Sequence, residues 1–164
     1  MVFLYACIIP ISAQTEYPPG EDGLRELLTH VMEANRSERR KITSALEPIE
    51  RDFEKVFQGR FLVKAIARQH QIIRQGGYYF APLRKEETRV HLWETTTEAL
   101  LSYEGTALSF PGGYKELAPH LKPGLTLYYI KFTEPGAKYG SAFDMLIYVN
   151  GHWRYFPQPW LLLI

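Results

Sequence analysis

The sequence contains a single cysteine, Cys7, among 164 residues, and this scarcity excludes an internal disulfide and a cysteine-rich zinc site. An excess of one charge is lacking as well, because 19 Lys and Arg balance 18 Asp and Glu. The resulting net charge of +1 excludes a broad basic surface for nucleic acid. Hydrophobic residues make up 46% of the chain, which is enough to bury a core at a length typical of one domain.

The familiar catalytic and cofactor motifs are also missing. The chain has no HExxH, no GxxxxGK[ST] and no Rossmann glycine pattern. Its five histidines lack the spacing of metal ligands: His30, His70, His91, His120 and His152. The glycines of FPGGY do not lead from a strand into a long helix, so they predict a turn rather than a phosphate site. We therefore expect neither a metal nor a cofactor.

The first 15 residues have no charged side chain, and their apolar run is shorter than the about 20 residues that span a bilayer. This length fits the apolar region of a signal peptide, although the usual basic start is missing. We predict an exported protein, periplasmic or envelope-associated. Lipidation of Cys7 is a lesser alternative, and any membrane association would involve the N-terminus only. A cytoplasmic protein whose apolar start is a disordered tail or an edge strand is the other possibility.

The Pro-Pro-Gly of TEYPPGEDG interrupts helix and strand alike, so residues 16–22 are predicted to be a linker. A single folded domain is then expected over residues 23–160, followed by an apolar tail at 161–164. The oligomeric state is left open.

Three apolar stripes with helical spacing follow the linker, in the ranges 24–32, 49–57 and 62–73. Asn35 is predicted to end the first helix, and Ser44 with Glu47 has the spacing of a capping box. The basic run RSERRKIT between the first two stripes is predicted to be a solvated helix face. The alternative is a contact with an acidic membrane surface or partner.

Short strands and turns fill the second half of the chain. Alternating residues predict strands in TRVHLWE and LTLYYIKFT, and a threonine-capped helical turn lies between them. Two further strands flank Asn150-Gly151, a strong signal for a two-residue hairpin in which both turn residues have positive φ. This turn predicts three facing pairs: Val149–His152, Tyr148–Trp153 and Ile147–Arg154.

The hairpin has two faces of different character. The more apolar face, which we expect to turn towards the helices, carries Phe143, Met145, Ile147, Val149, His152, Arg154 and Phe156. The other face carries Asp144, Leu146, Tyr148, Trp153 and Tyr155. An inward Arg154 requires a partner, because an unpaired buried charge costs several kcal/mol. Glu94 is the candidate partner, and a solvent-facing Arg154 is the alternative.

The element order resembles the NTF2-like, SnoaL-like family, a cystatin-like α+β cone. The segments FPGGYKELAPHLKPGLTLYYIKF and VNGHWRYFPQPW are similar to exported bacterial proteins of unassigned activity with the pattern PGGY…LKPG…VNGxWxxFPKPW. The resemblance implies three N-terminal helices packed on a curved, mostly antiparallel sheet. We expect one inner sheet face to oppose helix residues, in the set Leu28, Phe53, Ile66, Tyr128, Ile130, Ile147 and Phe156.

The NTF2-like superfamily includes isomerases and dehydratases as well as binding domains, so fold does not decide activity. We expect non-enzymatic binding of a small ligand or of a protein partner in the cell envelope, and no binding of nucleic acid. The candidate binding residues are Tyr128, His152, Arg154 and Glu94, and no catalytic residue is assigned. The alternative is a small isomerase or dehydratase with a histidine or aspartate base. Asp144, His91 and His152 are available, but the strand pattern turns Asp144 and His91 outward.

Overall fold

The structure, a computed structural model, describes residues 17–164. The predicted leader and Cys7 lie outside the described residues. The helices are α1 Gly20–Glu33, α2 Arg36–Ala45, α3 Glu50–Val56, α4 Arg60–Arg74, α5 Thr97–Ser102 and α6 Gly113–Leu117. The strands are β1 Arg89–Thr96, β2 Thr126–Thr133, β3 Gly140–Val149 and β4 His152–Tyr155. Three 3-10 turns cover Gly105–Ser109, Ala118–His120 and Pro159–Leu163.

The architecture is α+β, with one antiparallel sheet in the order β1-β2-β3-β4. Four helices precede β1 rather than the three expected, because the basic run forms a helix of its own, α2. None of the described helices is both long enough and apolar enough to cross a membrane.

The start of α2 corrects the prediction that Asn35 ends a helix. The Asn35 side-chain oxygen accepts hydrogen bonds from the N–H groups of Ser37 and Glu38, and the Glu38 carboxylate accepts one from the Asn35 N–H. The capping box is therefore Asn35 with Glu38 rather than Ser44 with Glu47. Helix α1 ends at Glu33 with Ala34 as its C-cap, and Asn35 is the N-cap of α2, so only two residues separate the helices.

Helices cover both faces of the sheet, so the chain has two apolar cores instead of one. The α1–α2 core includes Leu24, Leu28, Val31, Phe80, Tyr128, Ile130, Phe132 and Trp153. The α3–α6 core includes Phe53, Phe57, Phe61, Leu100, Tyr114, Met145, Ile147 and Phe156. The prediction that Leu28 and Phe53 oppose the same sheet face is therefore wrong, and the two hairpin faces are both buried.

The hairpin itself forms as predicted. The pairs Val149–His152, Tyr148–Trp153 and Ile147–Arg154 are in register. Asn150 and Gly151 have φ of 51° and 83°, so both turn residues take the positive φ that the Asn-Gly pair predicts. The threonine cap is confirmed too, since the Thr96 hydroxyl accepts from the Ala99 N–H at 3.2 Å.

A bulge in β3 changes which residues share a face. The β2–β3 register shifts between Tyr128, which pairs with Leu146, and Ile130, which pairs with Phe143. One extra residue therefore stands in β3, where Met145 has a φ of 56°. Phe143 consequently joins the α1–α2 core rather than the face of Met145, and Asp144 turns towards α6.

Both ends of the described chain extend beyond the predicted domain. Helix α1 begins at Gly20, inside the predicted linker. The predicted tail contributes to the 3-10 turn Pro159–Leu163, and Leu162 is buried in the α3–α6 core. This turn lies so close to α6 that a Cβ at Gly113 would stand 2.9 Å from the Trp160 Cβ. Residues 161–163 are thus packed against the domain.

Candidate functional site

The four predicted binding residues do not form one site, because they lie on opposite faces of the sheet. Tyr128 is buried in the α1–α2 core, with its ring edge-on to Trp153 at a centroid distance of 5.3 Å. Glu94 is its cross-strand neighbour on β1. Burial raises the pKa of the Tyr128 hydroxyl, and its hydrogen bond to Glu94 raises it further. Tyr128 and Glu94 thus place a buried phenol hydroxyl beside an exposed carboxylate.

Arg154 pairs with Asp52 of α3, which corrects both predictions for this guanidinium. Its Nε donates to the Asp52 Oδ2 at 2.7 Å, and its Nη1 donates to the backbone carbonyl of Ala45. The Arg154 side chain is 11% exposed and that of Asp52 is fully buried. Asp52 is in the first turn of α3, on the face of the sheet opposite to Glu94.

Asp52 has further partners that satisfy its carboxylate. Its Oδ1 accepts from the Asn150 Nδ2 at 2.7 Å, and its Oδ2 accepts from the Ile49 N–H at 3.0 Å. These hydrogen bonds join the hairpin turn to the N-terminus of α3. Arg154 and Asn150 therefore have a structural role, and His152 is a half-buried residue next to the turn. The aromatic residues of the hairpin belong to the two cores.

A large cleft lies elsewhere, between α2 and the chain that leaves α4. Its volume is about 610 Å³. Its lining residues are Arg36, Arg40, Thr43, Ser44, Glu47, Gly76, Gly77, Tyr78 and Tyr79. We call it the α2 cleft. Arg36, Arg40, Thr43 and Ser44 have a spacing that places them along one side of α2, and Glu47 follows two residues after the helix ends.

The opposite wall of the α2 cleft is held by backbone conformation and by one buried hydrogen bond. Gly76 and Gly77 have φ of 105° and 76°, values that favour glycine, and they turn the chain sharply after α4. The Phe80 N–H then donates to the Thr43 hydroxyl of α2 at 3.0 Å. The two walls are therefore fixed relative to each other.

The charges of the α2 cleft favour an anion at its Arg36 and Arg40 end. Both guanidiniums are exposed, they are one helical turn apart, and neither has a carboxylate partner within residues 17–164. Glu47 supplies the one carboxylate of the lining, at the opposite end of α2. The cleft is therefore cationic at one end and anionic at the other.

Tyr78 places an aromatic ring against the inner side of the α2 cleft. It lies edge-on to Tyr155 at a centroid distance of 4.9 Å. Its hydroxyl oxygen is buried and has no hydrogen-bond partner in the described chain. Burial raises the pKa of this hydroxyl, the Glu47 carboxylate raises it further, and Arg154 opposes both. The hydroxyl is thus a neutral group at physiological pH.

The sequence contains local signals for each wall of the cleft, but none of them predicts that the two segments meet. The basic run predicts a solvated helix face, and the pair Gly76-Gly77 after the third apolar stripe is typical of the end of a helix. About 30 residues of chain separate the two segments, so their meeting depends on how α3 and α4 pack. None of the four predicted binding residues lines the α2 cleft.

The prediction that Asp144 turns outward is wrong, because the β3 bulge turns its side chain inward. It is 5% exposed, and its Oδ2 accepts from the Tyr114 hydroxyl at 3.0 Å. Burial raises the pKa of Asp144 to about 6, although hydrogen bonds from Tyr114 and from the backbone N–H of Gln158 oppose the shift. No residue that lines the α2 cleft contacts this carboxylate through a described hydrogen bond.

A second, narrow groove runs along α4, between Phe53 and Leu162. It holds about 20 Å³, space for about one water. Arg68 and Gln69 line it, and the Arg68 Nε and Gln69 Nε2 have no acceptor in the described chain. The groove is too small for an organic ligand.

Residues 17–164 contain no cluster of three or more His, Cys, Asp or Glu side chains suited to a metal ion. Comparisons with protein-family models, with curated proteins and with solved structures find no match for this chain. The geometry of the α2 cleft is therefore the main guide to function.

The Arg154–Asp52 pair gives a prediction for stability. Asp52→Leu leaves a buried guanidinium without a counter-charge, so the free energy of unfolding should fall by about 3–5 kcal/mol. Combining Asp52→Leu with Arg154→Met should recover a large part of this loss, because both charges are then removed. Urea denaturation of the wild type and of both variants measures these changes. Glu94→Gln is the matched control, and it should change stability by less than about 1 kcal/mol.

A double variant no more stable than Asp52→Leu alone would show that the pair does not compensate two buried charges. A large effect of Glu94→Gln would report on its contact with the buried Tyr128, because Glu94 lies on the opposite face of the sheet from Arg154.

The buried Asp144 gives a prediction for the pH dependence of stability. Its pKa is about 6 in the folded state against an ordinary 3.8, so the folded protein binds the proton more tightly. Its destabilising contribution is absent below about pH 4 and grows as pH rises to about 6, reaching about 3 kcal/mol. Asp144→Asn should therefore raise stability at pH 7 and leave it nearly unchanged at pH 4.

Urea denaturation of both proteins between pH 4 and 8 provides the test. The difference between wild type and Asp144→Asn isolates this carboxyl from the other titrating groups. A constant difference across this range would mean that Asp144 titrates normally.

Proposed function

We propose that this domain is a non-catalytic binding module that holds a small anionic ligand in the α2 cleft. The observation that carries the proposal is the pair Arg36 and Arg40, which stand one turn apart at a cleft of about 610 Å³. Small-molecule sites commonly measure about 300–1,000 Å³. Guanidinium groups recognise carboxylate and phosphate oxygens through paired, charge-assisted hydrogen bonds.

The remaining lining residues narrow the class of ligand. Tyr78 and Tyr79 offer an apolar, aromatic wall, which favours a ligand with a planar or apolar body. Glu47 repels a second anionic group at the far end and favours a hydrogen-bond donor there. The ligand that fits best has one carboxylate or phosphate group on an aromatic or otherwise apolar body.

The alternative of a small isomerase or dehydratase has less support. Such an enzyme needs a general base within reach of a bound substrate. Asp144, His91 and His152, the groups available for that role, are all absent from the lining of the α2 cleft. Membership of the NTF2-like superfamily remains a prediction from element order, and it would be compatible with either activity.

Isothermal titration calorimetry with phenyl phosphate at low salt tests this proposal. Arg36→Gln and Arg40→Gln should each weaken the affinity at least about tenfold, since a charge-assisted hydrogen bond contributes about 1.5–3 kcal/mol. Lys41→Gln is the matched control, because this exposed cation lies on the same helix but does not line the cleft. Its affinity should stay within about twofold of wild type, as expected for an exposed, screened charge outside the cleft lining.

Titrations with phenol and with inorganic phosphate measure the contributions of the aromatic body and of the anionic group separately. Phenol should bind weakly because it lacks the anion, and inorganic phosphate because it lacks the aromatic body. Equal losses in Lys41→Gln and Arg40→Gln would indicate general attraction to a basic helix and would refute a defined site.

We also propose that the protein is exported and acts in the periplasm or at the cell envelope, on the basis of its charge-free apolar start. A chain that lacks residues 1–15 should keep its melting temperature, because a cleaved signal peptide forms no part of the folded domain. Circular dichroism of both forms measures this, and cell fractionation locates the full chain. A large loss of stability would mean that the segment packs as part of the domain.

A further inference from the structure

The α2 cleft carries unpaired charges of opposite sign at its two ends. Within the described part of the chain, Arg36 and Arg40 form no ion pair, and Glu47 forms none either. All three side chains line the cleft. Thr43 and Ser44, which line it between them, are uncharged. The helix side of the cleft therefore presents two cations, a neutral middle and one carboxylate.

The separation of these charges follows from the helix that positions them. Arg40 and Glu47 are seven residues apart, which corresponds to about two turns and about 10 Å along a helix. Helix α2 ends at Ala45, but Leu46 still has φ of −83° and ψ of −6°, so nearly the whole interval is helical. This distance fits within a cleft of about 610 Å³, so one small molecule is able to contact both ends.

A further cation near the Glu47 end of the cleft is already neutralised. Arg154 lies close enough to Tyr78 to oppose the rise in the pKa of its hydroxyl that burial and Glu47 cause. However, the Arg154 Nε is 2.7 Å from the carboxylate of the fully buried Asp52. The charges of this pair cancel, so Glu47 supplies the uncompensated charge beside Tyr78.

We propose that the α2 cleft selects a zwitterion, whose anionic group binds Arg36 and Arg40 and whose ammonium group, about 10 Å away, binds the Glu47 carboxylate. The inference rests on the proposed anion site and adds a second subsite of opposite charge. Glu47 favours a cation over a neutral donor, because charge-assisted hydrogen bonds are roughly twice as strong as neutral ones. Tyr78 and Tyr79 line the same cleft, and aromatic rings attract cations as well.

The same arrangement discriminates against ligands of other charge patterns. A ligand with an anion at each end would place its second anion against Glu47. A ligand with a cation alone would meet repulsion from Arg36 and Arg40 if it approached the other end. An anion on an uncharged body satisfies the arginines but leaves Glu47 without a partner. The cleft therefore favours a zwitterion over a simple anion, and a simple anion over a ligand with two anionic ends.

Isothermal titration calorimetry with two aryl phosphates of matched shape tests the inference. O-Phosphotyramine has an ammonium group at the end of its side chain, and 4-propylphenyl phosphate has a methyl group in its place. The ratio of their affinities should favour O-phosphotyramine about fivefold more in wild type than in Glu47→Gln, the effect expected of a partly exposed ion pair. Comparing ratios cancels the different apolar character of the two probes.

Two controls establish the position and the distance of the second subsite. Glu50→Gln removes an exposed carboxylate three residues beyond Glu47 that does not line the cleft, so its affinity ratio should equal that of wild type. O-Phosphoethanolamine has its two charges too close together to reach both subsites. Its affinity should therefore change by less than about twofold in Glu47→Gln, as expected for a screened charge.

A measurement on wild type alone keeps the test independent of the folding of Glu47→Gln. Acetylation of the amine of O-phosphotyramine removes its positive charge, so the acetylated probe should bind more weakly. An affinity ratio that is the same in wild type and Glu47→Gln, or that falls equally in Glu50→Gln, would overturn the ammonium subsite while the anion site stands. Failure of wild type to bind either aryl phosphate would refute the anion site and this inference with it.

Discussion

The buried contact between Arg154 and Asp52 connects the two parts of this fold. Asp52 begins α3, Arg154 lies in β4, and Asn150 of the hairpin turn donates to the same carboxylate. Because two buried charges are tolerated only when paired and hydrogen-bonded, the hairpin and α3 have one permitted arrangement. That arrangement also positions α2, since Arg154 donates to the carbonyl of Ala45 at its end. The location of the α2 cleft thus depends indirectly on this pair.

The two sides of the sheet differ in their exposure to solvent. The α3–α6 core is closed by the C-terminal turn and contains the buried Asp144 with its Tyr114 partner. The α1–α2 side carries the helix with exposed arginines and the glycine turn, where the chain is open to solvent. The α2 cleft at this margin alters little of the interior, since Arg36 and Arg40 are exposed while the hydrogen bond from Phe80 to Thr43 fixes its walls.

Local signals in the sequence predicted local structure well. Asn150-Gly151 fixed the turn type and with it the register of the hairpin, and the alternation in β2 placed Tyr128, Ile130 and Phe132 on one face. The failures have non-local causes. One inserted residue at Met145 reversed the face of Phe143, and no local pattern announces such a bulge. Arg154 required a partner, as expected, but Asp52 is about 100 residues distant, and the pairing of separate segments also hid the α2 cleft.

Covering both faces of one sheet has a consequence for cooperativity. β2 and β3 contribute side chains to both cores, so neither helical layer can detach without exposing strands on which the other layer packs. We therefore expect the amide hydrogens of these central strands to exchange with solvent mainly when the whole domain opens, and those of the outer turns to exchange through smaller fluctuations. The ligand proposed for the α2 cleft would then stabilise more than one layer, because it would slow the opening of the strands that both layers share.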